Sequence, residues 1–418
     1  MYIMERNLYN NSIYSQKQSS NYLLLVAFII YLINPLLGIF LFAISLSLSN
    51  RGSKSNTIYL YLAISIFLAL LNTTRTPEAD LLRYKIEFES ASNVSLRQYI
   101  SGAQREIIYY IFTFILNRLL LSNFSFYIIV VTMLQYMLRF LTLEKIMSKN
   151  NRRYLVFGSL LILLDATSFF VSVHLLRQLT ACSIFMYFFV ERFVNHKTLW
   201  ILIPIAVLIH TSSGVLFIIS LIPGLQNRIN PRLMITIFAL IIIILTFGDR
   251  IVAMLDYATQ AISWLNYPFE RILRMGELDY GWYTGTGIIG IRKSILRYTI
   301  LPIIIYYFLL GKKPGAHYLI NFCLLYFLVL EMFVANNLLY MQMRMAYYIY
   351  PFSAFAITLM VKSIYEHWGL FASFLVAMII LAFMAYRFFR GYFYTDFAIL
   401  DFKSMLFNPL ISYVIGFT

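Results

Sequence analysis

Between Arg75 and Phe88 the chain reads Arg-Thr-Pro-Glu-Ala-Asp-Leu-Leu-Arg-Tyr-Lys-Ile-Glu-Phe. It places Arg75, Glu78, Asp80, Arg83, Lys85, Glu87 and Glu89 directly after a predicted membrane span. A charge cluster at the mouth of a bilayer-embedded bundle marks a polar cavity or a substrate site. The alternative is an ordinary solvated loop between spans. Arginines recur on the same predicted face, at Arg97, Arg105, Arg177, Arg250, Arg271, Arg274, Arg292, Arg297, Arg344, Arg387 and Arg390. A guanidinium is a rigid fork of donors matched to phosphate oxygens, which an ammonium is not. Arginine on a face where positive charge is normally scarce points to a bound anion, and a phosphate or diphosphate at the membrane surface fits best. Snorkelling towards lipid head groups accounts for part of the set.

The elements that must hold these residues follow from composition. Of 418 residues, 61% are hydrophobic, 18% aromatic and only 12% charged. A soluble domain carries about 25% charged residues. The chain therefore reads as an all-α polytopic membrane protein, one continuous transmembrane domain over residues 1–418. The formal net charge of +15 has no hydrophilic domain to carry it, so it does not indicate nucleic acid. It belongs to cytoplasmic loops and to anionic head groups of the surrounding lipid. Cys182 and Cys323 both fall in apolar runs, and no disulfide framework is implied.

In chain order, residues 1–20 form a polar tail without a basic n-region or a small-x-small cleavage site. A first span is predicted at 22–49, kinked near Pro35, and a second at 57–73. The run from Ile107 to Leu121 is short and interrupted by Asn117 and Arg118. If it crossed, the span at 124–143 would leave Lys145, Lys149, Arg152 and Arg153 outside, against the positive-inside rule. Residues 84–121 are therefore placed as one or two amphipathic helices in the outer interface.

Further spans are expected at 154–171, 177–195, 198–210, 212–224, 232–248, 294–311, 317–335, 345–363 and 369–387. The total is about twelve, with both termini outside. On this topology Arg139 counts with the cytoplasmic charges. The external loops cover about 74–123 and 249–293, and the tail 388–418 is external. The pair meeting at His210-Thr-Ser-Ser-Gly is too short for comfortable crossings, so this polar break must face protein or a water-filled cavity.

Several matches are set aside. Gly285-Thr-Gly287-Ile-Ile-Gly290 fits a dinucleotide pattern but lacks the strand–turn–helix setting. The five histidines have no metal-ligand spacing, and no serine elbow or nucleotide-binding loop appears, so neither cofactor nor metal is expected. No internal repeat is visible, which weakens a transporter built on inverted repeats.

The sequence Arg75…Asp80…Tyr84…Phe88 resembles the signature after the second span of EpsG-like proteins, the Wzy-type polysaccharide polymerases. The same order continues with Glu106-Ile-Ile-Tyr109, Leu176-Arg177-Gln178-Leu-Thr-Ala181, Ile209-His210-Thr-Ser-Ser and Met343-Arg344-x3-Tyr348. One departure is that the glycine often found between the first arginine and the aspartate is replaced by Pro77-Glu-Ala.

The resemblance implies a GT-C-like membrane glycosyltransferase with an external active site. Its substrates would be oligosaccharide repeat units on undecaprenyl diphosphate, and a chain-length regulator is an expected partner. On that reading charge develops on a diphosphate leaving group, where preorganised arginines stabilise it. Arg75, Arg177 and Arg344 are nominated, with Arg83 and Arg292 behind them. The incoming sugar hydroxyl needs a proton acceptor, for which Asp80 is the first choice and His210 the second. Tyr84, Trp282 and Tyr283 are expected to stack on sugar rings, and Glu106, Gln178 and Tyr348 to bind sugar. Three other classes stay open: a lipid-linked oligosaccharide flippase, an O-antigen ligase, and a membrane O-acyltransferase. A flippase requires charge in a cavity open to both sides, whereas here it crowds one face.

Overall fold

Apolar runs of this length satisfy their backbone groups internally, and among the described residues all regular structure is helical, with no strand. The computed structural model describes residues 22–48, 54–101, 106–147, 152–228, 293–310, 315–335, 339–393, 408–410 and 412. The expected span at 232–248, the loop 249–292 and, apart from 408–410 and 412, the tail beyond 393 lie outside the described residues. Among the described residues, three helices are long and apolar enough to cross a membrane, or four if one bent pair is a single span.

Two compact units separate. The first comprises the described residues of Met1–Val190, Pro204–Thr211 and Ala377–Thr418. It opens with α1 (Tyr22–Ile33) and α2 (Pro35–Leu48). The expected kink at Pro35 is a break at Asn34, because a residue before proline is driven out of the helical region. The Asn34 side chain then caps α2 by accepting from the Leu37 amide at 2.9 Å. Helix α3 (Lys54–Thr73) buries Leu60, Ile64, Phe67 and Leu71, spaced along one face, against α7 (Phe124–Met147). Tyr61 stacks on Phe140 across that interface, centroids 4.8 Å apart.

Between these two helices lie three short ones, α4 (Ala79–Ser90), α5 (Leu96–Ser101) and α6 (Ile107–Leu119). At 13 residues α6 is about 20 Å long, too short for a bilayer core. Leu81, Tyr84 and Phe88 of α4 pack with Tyr109 and Leu116 of α6 and Tyr127 of α7, while Arg83, Lys85 and Glu89 stay outside. The amphipathic pattern expected for residues 84–121 is present, carried by three short helices rather than one or two.

The expected span 154–171 is not one straight helix. It divides into α8 (Arg152–Leu163) and α9 (Ala166–His174), bent by 54°. The cause is Asp165, whose carboxylate caps α9 by accepting from the Ser168 amide at 3.1 Å and also accepts from the Ser168 hydroxyl. Arg139 of α7 donates to the same carboxylate at 3.1 Å. Arg139 is fully buried and faces Asp165. Its Nε and Nη1 have no hydrogen-bond partner among the described residues, so Asp165 is its charge partner there. Removing one member of a buried pair costs more than removing both. Asp165→Ala is therefore expected to destabilise the protein by about 3–5 kcal/mol, and adding Arg139→Met should recover most of that. Unfolding midpoints in detergent check both.

Polar side chains then fix the corner between α9 and α10 (Leu176–Val194). Asn72 donates to Ser172 Oγ at 2.8 Å and Thr132 Oγ1 at 3.2 Å. Gln135 Nε2 reaches the carbonyls of Ser172 and Leu176 and the hydroxyl of Thr180, at 3.0–3.3 Å. In an apolar interior such groups have few other partners, and they hold helices in register. The residue that follows Leu176 is Arg177, so this network sets where its side chain begins.

The second unit comprises the described residues of Glu191–Ile203 and Ser212–Val376. Helix α11 (Leu202–Ile209), nearly all of it in the first unit, and α12 (Gly214–Ser220), in the second, are the two short helices expected around His210. Then come α13 (Leu301–Leu310), α14 (His317–Ala335) and α15 (Leu339–Ala346). Helix α14 packs against α12, α13 and α15. The expected span 369–387 and the part of 345–363 from Ser353 on fall within one long element, α16 (Ser353–Phe393), kinked at Gly369. Gly369 takes φ +80°, a conformation only glycine adopts cheaply.

Candidate active site

Glu106 stands immediately before α6, where a carboxylate ordinarily accepts the free amides of the first helical turn. It makes no such cap. Instead its Oε2 accepts from Arg177 Nη1, and its Oε1 lies 2.7 Å from His210 Nδ1. The three residues are 71 and 104 positions apart in sequence and all belong to the first unit. Arg177 sits in the first turn of α10 and His210 follows the last turn of α11. The imidazole is the most open of the three: its side chain is 28% exposed, against 15% for Glu106 and 11% for Arg177.

An aromatic floor backs the arginine. Its guanidinium carbon lies 4.9 Å from the Tyr109 ring centroid and 5.2 Å from that of Tyr84, and the two rings meet edge to face. Tyr109 donates to Glu87 Oε2 at 3.3 Å, and Glu87 Oε1 accepts from Arg83 Nε at 2.9 Å. One chain of polar contacts, joined by the cation–π step, thus runs from the exposed Arg83 to His210. The Arg177 Nε is buried and has no hydrogen-bond partner among the described residues.

Burial works to raise the Glu106 carboxyl, but His210 and Arg177 outweigh it and hold the group below its usual value. Glu106 lies ahead of α6, outside the membrane-spanning helices. An ionised carboxylate only accepts, so His210 Nδ1 must donate and the lone pair falls on Nε2. The arrangement is a base whose tautomer and orientation are set by a third group.

Asp80 is half-buried in the first turn of α4, one turn before Tyr84 and on the same helix face. Ala79 beside it takes φ +48°, in the left-handed region. A glycine would occupy that backbone without strain, and the substitution noted in the sequence falls here. Arg75 is buried: it donates to the carbonyls of Phe170 at 3.2 Å and Phe169 at 3.4 Å and lies 4.4 Å over the Phe169 ring. Its fork holds α9. Arg83 is exposed and paired along its own helix with Glu87. Gln178 is buried in α10. In the second unit Arg344 is half-buried in the last turn of α15, and Tyr348 is buried with its hydroxyl 2.8 Å from Ser212 Oγ. Arg292, Trp282 and Tyr283 lie outside the described residues.

Among the described residues no cluster of His, Cys, Asp or Glu has the geometry of a metal site. The joining of Glu106, expected as a sugar ligand, to Arg177 and His210, and that of Tyr109 to Glu87, were not read from the sequence. A usable signal was present, since Glu106 and Tyr109 are three residues apart and share one side of a helix start.

The model of the EpsG family matches residues 58–403, and that range holds every residue of the cluster. The chain belongs to the EpsG family. No curated protein and no solved structure matches it. EpsG membership together with the apolar helices makes this a polysaccharide polymerase-like membrane protein of polysaccharide biosynthesis.

Proposed function

We propose that the chain is a glycosyltransferase that joins oligosaccharide repeat units carried on undecaprenyl diphosphate, at the external face of the bacterial inner membrane. About twelve spans in a GT-C-like arrangement would carry that face. Partners would be the lipid-linked glycans, the surrounding lipids and a chain-length regulator. The observation that carries the proposal is Glu106 joining Arg177 and His210, in a chain of the EpsG family.

The step balances as follows. A hydroxyl of the acceptor repeat unit attacks the anomeric carbon of the donor chain, and a new glycosidic C–O bond forms. The bond from that carbon to the diphosphate oxygen breaks, and undecaprenyl diphosphate leaves with the electron pair. His210 Nε2 takes the hydroxyl proton, and Glu106 steadies the imidazolium that results. Arg177 faces the charge that develops on the leaving diphosphate, with its unpartnered Nε as a donor. What supports His210 ahead of Asp80 as the proton acceptor is the carboxylate on its Nδ1. Asp80 and Tyr84 would then orient the sugar from α4. Arg75, Arg83, Arg292 and Arg344 remain diphosphate ligands in this proposal, and Gln178, Trp282, Tyr283 and Tyr348 sugar ligands.

Surface glycan resolved on a gel tests this. Cells carrying His210→Ala should display single repeat units, transferred by a ligase, and no ladder. Asp80→Asn, which keeps shape and removes the charge, should shorten or deplete the ladder less than His210→Ala. An exporter would behave differently: repeat units would accumulate inside and even the one-unit band would be missing. Absence of that band in well-inserted His210→Ala protein would replace polymerisation by export.

A further inference from the structure

At the end of α10 and α12, away from the Glu106 cluster in sequence and chemistry, the second unit bears an open polar pocket of about 370 Å³. Arg192, His196, Thr198, Gln226 and Asn227 supply its polar lining. Arg192 comes from the last turn of α10, and its guanidinium carbon lies 5.7 Å from the Phe193 ring and 5.9 Å from the Trp200 ring. Ring faces fix the plane of a guanidinium without using its N–H groups. Among the described residues Arg192 has no carboxylate partner. The neighbouring acid, Glu191, is buried and accepts from Asn195 Nδ2 at 2.7 Å. Lys197 and Arg228 add positive charge at the same end.

The skin beside the cavity is of the opposite kind. Trp200 is 60% exposed, Ile201 66% and Ile222 42%. Large apolar side chains left open next to a tryptophan are the pattern of a surface facing acyl chains at head-group depth. A basic, hydrogen-bonding pocket opening onto such a surface matches one chemistry: a phosphate carrying two acyl chains. We infer that this cavity binds the head group of an acidic phospholipid, with its phosphate on Arg192 and its acyl chains along Trp200, Ile201 and Ile222. The amides of Gln226 and Asn227 and the Thr198 hydroxyl would take the remaining head-group oxygens. The inference needs only that the chain lies in a membrane, so it stands or falls apart from glycosyl transfer.

The test uses the full chain purified in detergent. Thermal midpoints are followed while phosphatidylglycerol, phosphatidylcholine or inorganic phosphate is added. Phosphatidylglycerol should raise the wild-type midpoint in a saturable way, and the other two should not. Arg192→Gln should weaken the apparent affinity for phosphatidylglycerol about fivefold, the worth of one cation near an acidic head group. Arg192→Lys should fall between, because the charge stays and the fork is lost. Asn227→Leu, which leaves the charge in place, should also weaken binding and serves if Arg192→Gln does not insert. Equal titrations for wild type, Arg192→Gln and Asn227→Leu would overturn the inference. So would an equal response to inorganic phosphate, which would make this a free-anion site, or to phosphatidylcholine, which would make it a generic lipid surface.

Discussion

Arg177→Ala is expected to abolish detectable polymer while the protein still inserts, a loss of about 10²–10³-fold or more in rate. Two effects add. The leaving diphosphate loses the donor nearest the base, and Glu106 loses its permanent counter-charge. Among the described residues only His210 then still faces that carboxylate, whose oxygens are no longer held in place from both sides. Arg177→Lys should recover little, since an ammonium cannot lie flat over Tyr84 and Tyr109 while reaching Glu106. Glycan gels read beside membrane immunoblots check this. Near-normal ladders from inserted Arg177→Ala would make the cluster a structural brace.

Glu106→Gln is expected to cost nearly as much as His210→Ala, about 10²–10⁴-fold, although it changes one atom of a residue that touches no reacting bond. An amide presents both a donor and an acceptor to Nδ1, so the tautomer with the lone pair on Nε2 is no longer enforced. In the proposed mechanism the residue is a positioning group, and pH is the readout that distinguishes it from a brace. Wild-type Glu106 is held below the usual carboxylate value. A depressed acid contributes stability that is fully present above its unfolded value, about 4.3, and is lost as pH falls through the folded value. Acid unfolding of the wild type should therefore carry this group below about pH 4. The Gln variant should lack that part of the transition. An unchanged acid limb would mean that Glu106 is not the ionised partner of Arg177.

The Wzy-like order of motifs held because each motif sits where a helix begins or ends, and helix ends are marked locally. Pro35 with Asn34, the apolar run 124–147 and the polar break after His210 all state their own boundaries. Asp165 is the instructive miss. Within an apolar run one acid reads as a blemish in a span, and only the approach of Arg139 from another helix turns it into a cap and a 54° bend. Arg75 is similar. As a residue type it suits phosphate, yet its position at the end of α3 delivers it to the carbonyls of Phe169 and Phe170.

By itself the sequence determined the class: a 61% hydrophobic chain with 12% charge must satisfy its backbone within helices, so an all-helical membrane protein follows from solvation alone. It also determined which residues could carry charge chemistry, because so few polar groups interrupt the apolar runs. The tertiary structure alone decided how those residues divide the work. Glu106, Arg177 and His210 are separated by 71 and 104 residues, and no local pattern encodes a contact at that range. Their meeting depends on a buried network, Asn72, Gln135 and Ser172, that sets the α9–α10 corner. Packing in a low-dielectric interior admits few such polar arrangements, and the one formed here gives the histidine a fixed tautomer and the arginine a fixed plane.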